Sequence, residues 1–181
     1  MIMARVHPGE TPSSFVCEGM MKYLLGETPE AASLRDSFVF KFIPMLNPDG
    51  VINGSYRCSL SGYDLNRVWH IADKVSHPEI YATRKNIFEI NQKQAIFLTV
   101  DLHAHSKKKG IFMYGSQNRN NPYLCRQIPF LLWKNISEFN YYQCNFAMRM
   151  GREGTSRLFL YQELGLNYSY TMEHSFCGPS K

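Results

Sequence analysis

Ala95-Ile96-Phe97-Leu98-Thr99-Val100 runs directly into Asp101-Leu102-His103-Ala104-His105-Ser106, and the reading of this junction decides the fold. A near-continuous apolar run bounded by polar residues reads as a strand covered on both faces, the kind found in parallel sheets with helices on either side. Where the run stops, imidazole and carboxylate side chains begin. Chemistry is thereby placed at the end of a buried strand, where the backbone is held rigidly. His103 and His105 share one strand parity, so spacing alone leaves either free to act as a ligand, with Asp101 beside them.

Toward the N-terminus, residues 1–6 read as a short buried strand that enters His7-Pro8-Gly9-Glu10. An imidazole and a carboxylate three residues apart, with a turn-forming Pro-Gly between them, are half of a catalytic zinc site of the His2Glu type. Such a site needs one more histidine and an open position for water. Residues 12–25 read as a helix, with Pro12 in its first turn, Phe15, Val16, Met20, Tyr23 and Leu24 on its apolar side, and Gly26 ending it. A polar linker follows. Phe38 to Met45 then reads as a mostly buried strand leading into Asn47-Pro48-Asp49-Gly50, a turn. Residues 51–76 show little periodicity, and a loop of that length inside a compact domain is usually functional. The spacing predicts an amphipathic helix over 78–93, with Ile80, Tyr81 or Ala82, Ile87 and Ile90 inward.

Toward the C-terminus, residues 110–114 read as a short strand and 122–137 as a helix kinked at Pro129. Arg157 to Tyr161 and Tyr168 to Met172 read as late strands, with Glu173 at the end of the second. Strands alternating with helices argue for an α/β sandwich around a buried sheet. The 181 residues, 44% of them hydrophobic, suit a single domain.

Twenty basic against fifteen acidic residues give a net charge of +5, but the basic residues are scattered. Lys107-Lys108-Lys109 is the only tight run and reads as a solvated loop. With no basic stripe interleaved with aromatics, nucleic acid is not expected as a partner. Five cysteines without a C-x-x-C pair exclude a disulfide framework and suit reduced thiols in a cytosolic compartment. No signal peptide or membrane-spanning run is present, so no membrane partner is expected.

Three further groups are candidates for chemistry. Glu173 follows a run of Tyr, Ser, Thr and Met; a carboxylate in such a setting has a raised pKa, which suits a general base. Arg57 and Arg67 lie in the long loop, and Arg67 follows Asn66 in the compact Asp64-Leu65-Asn66-Arg67. A guanidinium can form a planar fork to a carboxylate or stabilise an oxyanion.

His7-Pro8-Gly9-Glu10, Asn47-Pro48-Asp49-Gly50, Tyr56-Arg57-Cys58, Asp64-Leu65-Asn66-Arg67, Asp101-Leu102-His103-Ala104-His105-Ser106 and Tyr170-Thr171-Met172-Glu173 stand in that order. Together they resemble the M14 zinc metallocarboxypeptidases, and more closely the cytosolic carboxypeptidase branch, which includes tubulin deglutamylases. The resemblance spans residues 4 to 178. It implies a mixed, mostly parallel sheet flanked by helices, an α/β/α sandwich incomplete at both ends, with 1–181 forming one partial catalytic domain. It implies one zinc ion held by His7, Glu10 and His103, which would settle the choice between the two histidines. It implies Glu173 as general base and acid, Arg57 as oxyanion stabiliser, Asn66 and Arg67 as the grip on a free C-terminal carboxylate, and Asp64 as the group orienting His7.

The substrate implied is a protein or peptide with a free C-terminal carboxylate, glutamate-rich tails such as that of tubulin, in the cytoplasm and near microtubules or cilia. Arg149, Arg152 and Arg157, around Glu153-Gly154-Thr155, are candidates to meet an acidic side chain. The alternative is a truncated or inactive binding module that keeps the carboxypeptidase core.

Overall fold

The computed structural model describes residues 1–148, 150–176 and 178. Among the described residues five strands form one sheet: β1 (Ile2–Ala4), β2 (Phe42–Ile43), β3 (Thr99–His105), β4 (Ile111–Tyr114) and β5 (Ser169–Ser175), in the spatial order β2-β1-β3-β5-β4. All neighbouring pairs are parallel except β4 with β5, which is antiparallel. The mostly parallel α/β sheet expected from the sequence is therefore present.

The pleat sorts the side chains. Val100 and Leu102 of β3, Met113 of β4 and Tyr170 and Met172 of β5 join one apolar cluster, with Cys17 of α1 (Pro12–Leu25) and partly buried residues of α5 (Leu124–Asn135). The opposite face bears Asp101, His103 and His105, which alternate with those residues along β3. Beside it lies a second cluster built on Met3, Val6, Leu65 and Trp69, with Ile80 and Ile87 of α4 (Pro78–Lys93) and Phe159 and Leu160 of α6 (Ser156–Leu164). Helices α2 (Pro29–Ser37) and α3 (Pro48–Ile52) complete the set.

Several local expectations are corrected. The apolar run at 95–98 is irregular and Phe97 is exposed; β3 begins at Thr99 and continues through His105. The polar residues that seemed to end the strand lie inside it, because their polar groups are bonded to one another. Arg157 to Tyr161 is helix rather than strand. The deciding signal is at its end: Gly165 closes it at φ 65°, the left-handed conformation that glycine adopts without cost.

The linker after Gly26 is α2, started by Pro29 and by the Thr28 hydroxyl accepting from the Ala31 N–H at 3.2 Å. Of Phe38 to Met45 only Phe42–Ile43 is strand, and Phe38, Val39 and Met45 are exposed, since β2 pairs on one side only. Phe15 and Tyr23 of α1 face solvent while Ser13 and Cys17 are buried, and in α4 Thr83 rather than Tyr81 or Ala82 turns inward.

Asn47-Pro48-Asp49-Gly50 is the start of α3 and not simply a turn. Asn47 is fully buried, caps the helix through Gly50 N–H at 3.0 Å, and donates its amide to the Val6 carbonyl at 3.1 Å. It thereby ties α3 to the end of β1, just before His7. Arg5, also just before His7, adopts φ 58° and donates to the Pro8 carbonyl at 3.0 and 2.7 Å. A non-glycine residue in this region costs roughly 1–2 kcal/mol and persists only where its surroundings hold it. Here it turns the chain out of the strand and into His7.

Among the described residues Cys17, Cys58, Cys125 and Cys144 are free thiols, and no helix is long and apolar enough to cross a membrane. Cys177, the fifth, lies outside the described residues.

Candidate active site

His103 projects from the middle of β3, and its register partners are Glu173 on β5 and, through it, Phe112 on β4. This makes a middle rung across one face of the sheet. One rung earlier along β3 stand Asp101, Thr171 and Tyr114; one rung later stand His105 and Ser175. Glu173, read as the end of a strand, thus lies inside β5, flanked on both sides.

His7 and Glu10 reach the middle rung from the loop between β1 and α1. One ligand atom from each of His7, Glu10 and His103 lies within 4.8 Å of the others, and all three residues are buried. The Nδ1 atoms of the two histidines face each other at 3.1 Å, and each lies 2.8–3.0 Å from a Glu10 carboxylate oxygen. The far nitrogens are held by carboxylates: His7 Nε2 is 3.0 Å from Asp64 and His103 Nε2 is 2.9 Å from Asp101. Were each Nε2–H donated outward to its carboxylate, the two Nδ1 atoms would turn lone pairs toward one another and toward an acceptor-only carboxylate, an arrangement that needs a proton or a metal cation between them. Two imidazole nitrogens and one carboxylate, with one side open to a cavity, fit zinc.

The electrostatics agree. Burial pushes the Glu10 carboxyl upward, but hydrogen bonds and charge from His103 and His7 prevail and hold it well below the usual carboxylate range. In the same way burial opposes, and His7, Arg57 and Arg67 overcome, to keep Asp64 ionised. At His103 burial disfavours positive charge, yet Asp101 and Glu10 more than offset it. The protein field around this imidazole favours a cation.

Glu173 is shifted the other way. Burial raises its pKa, His103 lowers it and Glu10 raises it again, leaving it above 4.5. Arg57 makes a two-pronged contact with Asp64, Nε and one terminal nitrogen each 2.8 Å from Oδ2, and its other terminal nitrogen is 3.9 Å from Glu10. Asn66 is buried: its Oδ1 accepts from the Ser156 N–H at 2.9 Å and its amide nitrogen lies 3.1 Å from His103 Nε2, the nitrogen that also faces Asp101. Arg67 donates to the Asn66 carbonyl and stands 4.0 Å from Asp64.

These groups open onto one cavity of about 570 Å³, within the size range that holds a small ligand. His7, Glu10, His103, Glu173, Arg57, Asn66, Arg67, Arg152 and Arg157 all line it, and Asp64 acts from behind His7. His105 lines the rim outside the triad. The cavity carries Arg57, Arg67, Lys108, Arg152 and Arg157 against two carboxylates, Glu10 and Glu173.

Arg157 is the most unusual of these cations. It is buried, donates to the Gly115 carbonyl and to the Ser116 hydroxyl, and has its Nε without a hydrogen-bond partner. Burial and then Arg152 lower its pKa to about 10, and no carboxylate pairs with it among the described residues. Arg149 lies outside the described residues.

Sequence reasoning missed two members of this arrangement. Asp101 stood out only as a neighbour of the histidines, yet it is the partner of His103 Nε2 and accepts from the Ser156 hydroxyl at 2.5 Å. Its separation of two residues from His103, one strand period, was the available signal. Ser156, which joins α6 to both Asp101 and Asn66, left none.

A histidine-histidine-glutamate donor set on a mostly parallel α/β sheet, with the half-buried carboxyl of Glu173 beside it, is the arrangement of a metallohydrolase. The zinc carboxypeptidase family model matches residues 1–180, and the chain belongs to that family. It is 46% identical over 185 residues to cytosolic carboxypeptidase 3 of Bos taurus, which covers 99% of this chain and 18% of the relative. To cytosolic carboxypeptidase 2 of Homo sapiens it is 45% identical over 183 residues, covering 99% of this chain and 20% of the relative. The chain therefore spans about a fifth of the length of these relatives. A metallo-carboxypeptidase from Burkholderia cenocepacia shares the fold at TM-score 0.84 and 24% identity, over 97% of this chain and 47% of that one.

Proposed function

We propose that residues 1–181 form a single partial catalytic domain of a zinc-dependent carboxypeptidase that removes acidic residues, glutamate foremost, from the C-termini of glutamate-rich protein tails, tubulin being the leading candidate. The cytoplasm, near microtubules or cilia, is where such tails occur. One observation carries the substrate class: Arg157, buried in the cavity wall without a counter-charge among the described residues. A buried guanidinium is costly to leave unpaired, and a carboxylate side chain entering the cavity would supply its partner. Its place in the first turn of α6 adds the positive end of the helix dipole.

His7, Glu10 and His103 would hold the zinc. When bound, zinc supplies the Lewis acidity that activates water at neutral pH and polarises a carbonyl. Arg67 forks to the α-carboxylate of the terminal residue, with Asn66 setting the backbone that carries it; requiring that carboxylate makes the reaction an exopeptidase one. Glu173, ionised, takes a proton from the attacking water and returns it to the departing amine. Arg57, fixed in direction by Asp64, faces the charge that develops on the carbonyl oxygen. A complete donor set with a half-buried base beside it speaks against the binding-module alternative.

The test is a C-terminal mass ladder on peptides ending in several glutamates, with the zinc-loaded chain. Stepwise loss of glutamate by the parent, and none by Glu173→Gln, is the expected result. Intact peptides with both proteins, or equal shortening by both, would overturn the reading.

A further inference from the structure

We propose that Lys108 forms a second carboxylate subsite, taking the acidic side chain on the amino side of the bond to be cut. The inference rests on the carboxypeptidase reading and extends its specificity beyond the terminal residue.

Lys107-Lys108-Lys109 reads in the sequence as a solvated run, but the three lysines differ in the structure. Lys107 and Lys109 are exposed, whereas Lys108 is half-buried and lines the cavity. Its ammonium stands 4.6 Å from the ring centroid of Phe112 and 5.8 Å from that of Tyr114. The aromatic faces hold the cation through their quadrupoles while removing part of its water. The loop is braced as well: the backbone N–H groups of Lys107 and Lys108 both donate to His105 Nδ1, at 3.2 and 3.0 Å. No carboxylate among the described residues lies within ion-pair distance of Lys108. A charge thus positioned, partly dewatered and without a counter-ion is prepared for an anion from outside.

The rungs of the sheet say which anion. Arg157 and Ser156 are bonded around the earlier rung, to Gly115 just past Tyr114 and to Asp101. The reacting groups occupy the middle rung. The loop bearing Lys108 leaves from the later rung, after His105. A peptide whose last residue points toward Arg67 and Arg157 therefore sends its preceding residues toward that loop. The ring of Phe112, a register partner of Glu173, places the Lys108 ammonium beside the middle rung.

The test uses two otherwise identical labelled peptides, one ending Glu-Glu and one ending Ala-Glu. Binding is measured to the zinc-loaded Glu173→Gln chain and cleavage with the parent. A charge-assisted contact predicts about tenfold tighter binding of the Glu-Glu peptide, an advantage that shrinks as salt is raised. Lys108→Ala should erase the advantage and leave the Ala-Glu peptide unchanged, and Lys108→Arg should restore most of it.

Equal binding of the two peptides by the Glu173→Gln chain overturns the subsite, as does an equal loss on both with Lys108→Ala. Release of glutamate from both peptides at the same rate keeps the peptidase and removes the subsite. A Lys108-dependent binding preference without any release keeps the subsite and removes the peptidase.

Discussion

Two titrating groups that line the same cavity are pushed in opposite directions, and their roles follow. Glu10 is held ionised by two imidazoles, as a ligand must be, while Glu173 is raised above 4.5 chiefly by burial. A base acts in its deprotonated form. A raised pKa therefore means that activity is full above that value and lost as pH falls through it. The zinc-loaded chain should therefore show an acid limb in kcat/KM, activity falling as pH drops through the raised pKa of Glu173. Glu173→Gln should abolish the limb and lower kcat by about 10²–10⁴-fold, with zinc content unchanged by metal analysis. Asp101 supports a second prediction. It fixes His103 through Nε2 from a fully buried position. Removing such a partner typically costs 10–100-fold in metal affinity. Asp101→Asn, similar in size and still able to accept from Ser156, should weaken zinc by about that factor in a chelator competition while leaving the far-ultraviolet circular dichroism intact.

At the scale of elements, the site depends on how closely two irregular segments approach. Gly154, ahead of α6, lies against the short 3-10 turn Leu65–Arg67: a Cβ there would stand 1.8 Å from the Arg67 carbonyl oxygen, and its own carbonyl accepts from Trp69 N–H at 3.1 Å. Backbone, not a flexible side chain, is in the way. Gly154→Ala should push the segments apart and cost about 1–3 kcal/mol, the usual penalty of overpacking, read as a lower midpoint of urea unfolding. KM for peptide substrates should rise more than kcat falls, because Arg67 moves before the metal ligands do. Neither segment was interpretable from periodicity. The 51–76 loop reads as functional from its length alone, and the helical start at Ser156 was mistaken for a strand because a run such as Leu158-Phe159-Leu160 suits both. The elements that were legible, α1, α4, β4 and α5, carry their own start and stop signals.

On the scale of the whole molecule, the sheet ends in a short, open strand. Around β2, Phe38, Val39 and Phe97 are exposed, and together with Leu34, Phe40 and Ile96 they line an apolar groove. Unpaired strand edges flanked by apolar surface promote association. Val39→Lys, 64% exposed in the structure, should slow the growth of light scattering on warming while moving the unfolding midpoint by no more than a few degrees. An unchanged scattering rate would show that association starts elsewhere. The sequence by itself determined the α/β class and the residue types of the site in their order, because periodicity and donor chemistry are local properties. Only the tertiary structure decided that β3 extends through His105 and that His103 rather than His105 joins His7 and Glu10. It alone showed that Asp101 stands behind His103 and that Lys108 differs from the lysines beside it. Each of these depends on register between strands distant in sequence, and on which polar groups bury one another, and neither is written in any local stretch of the chain.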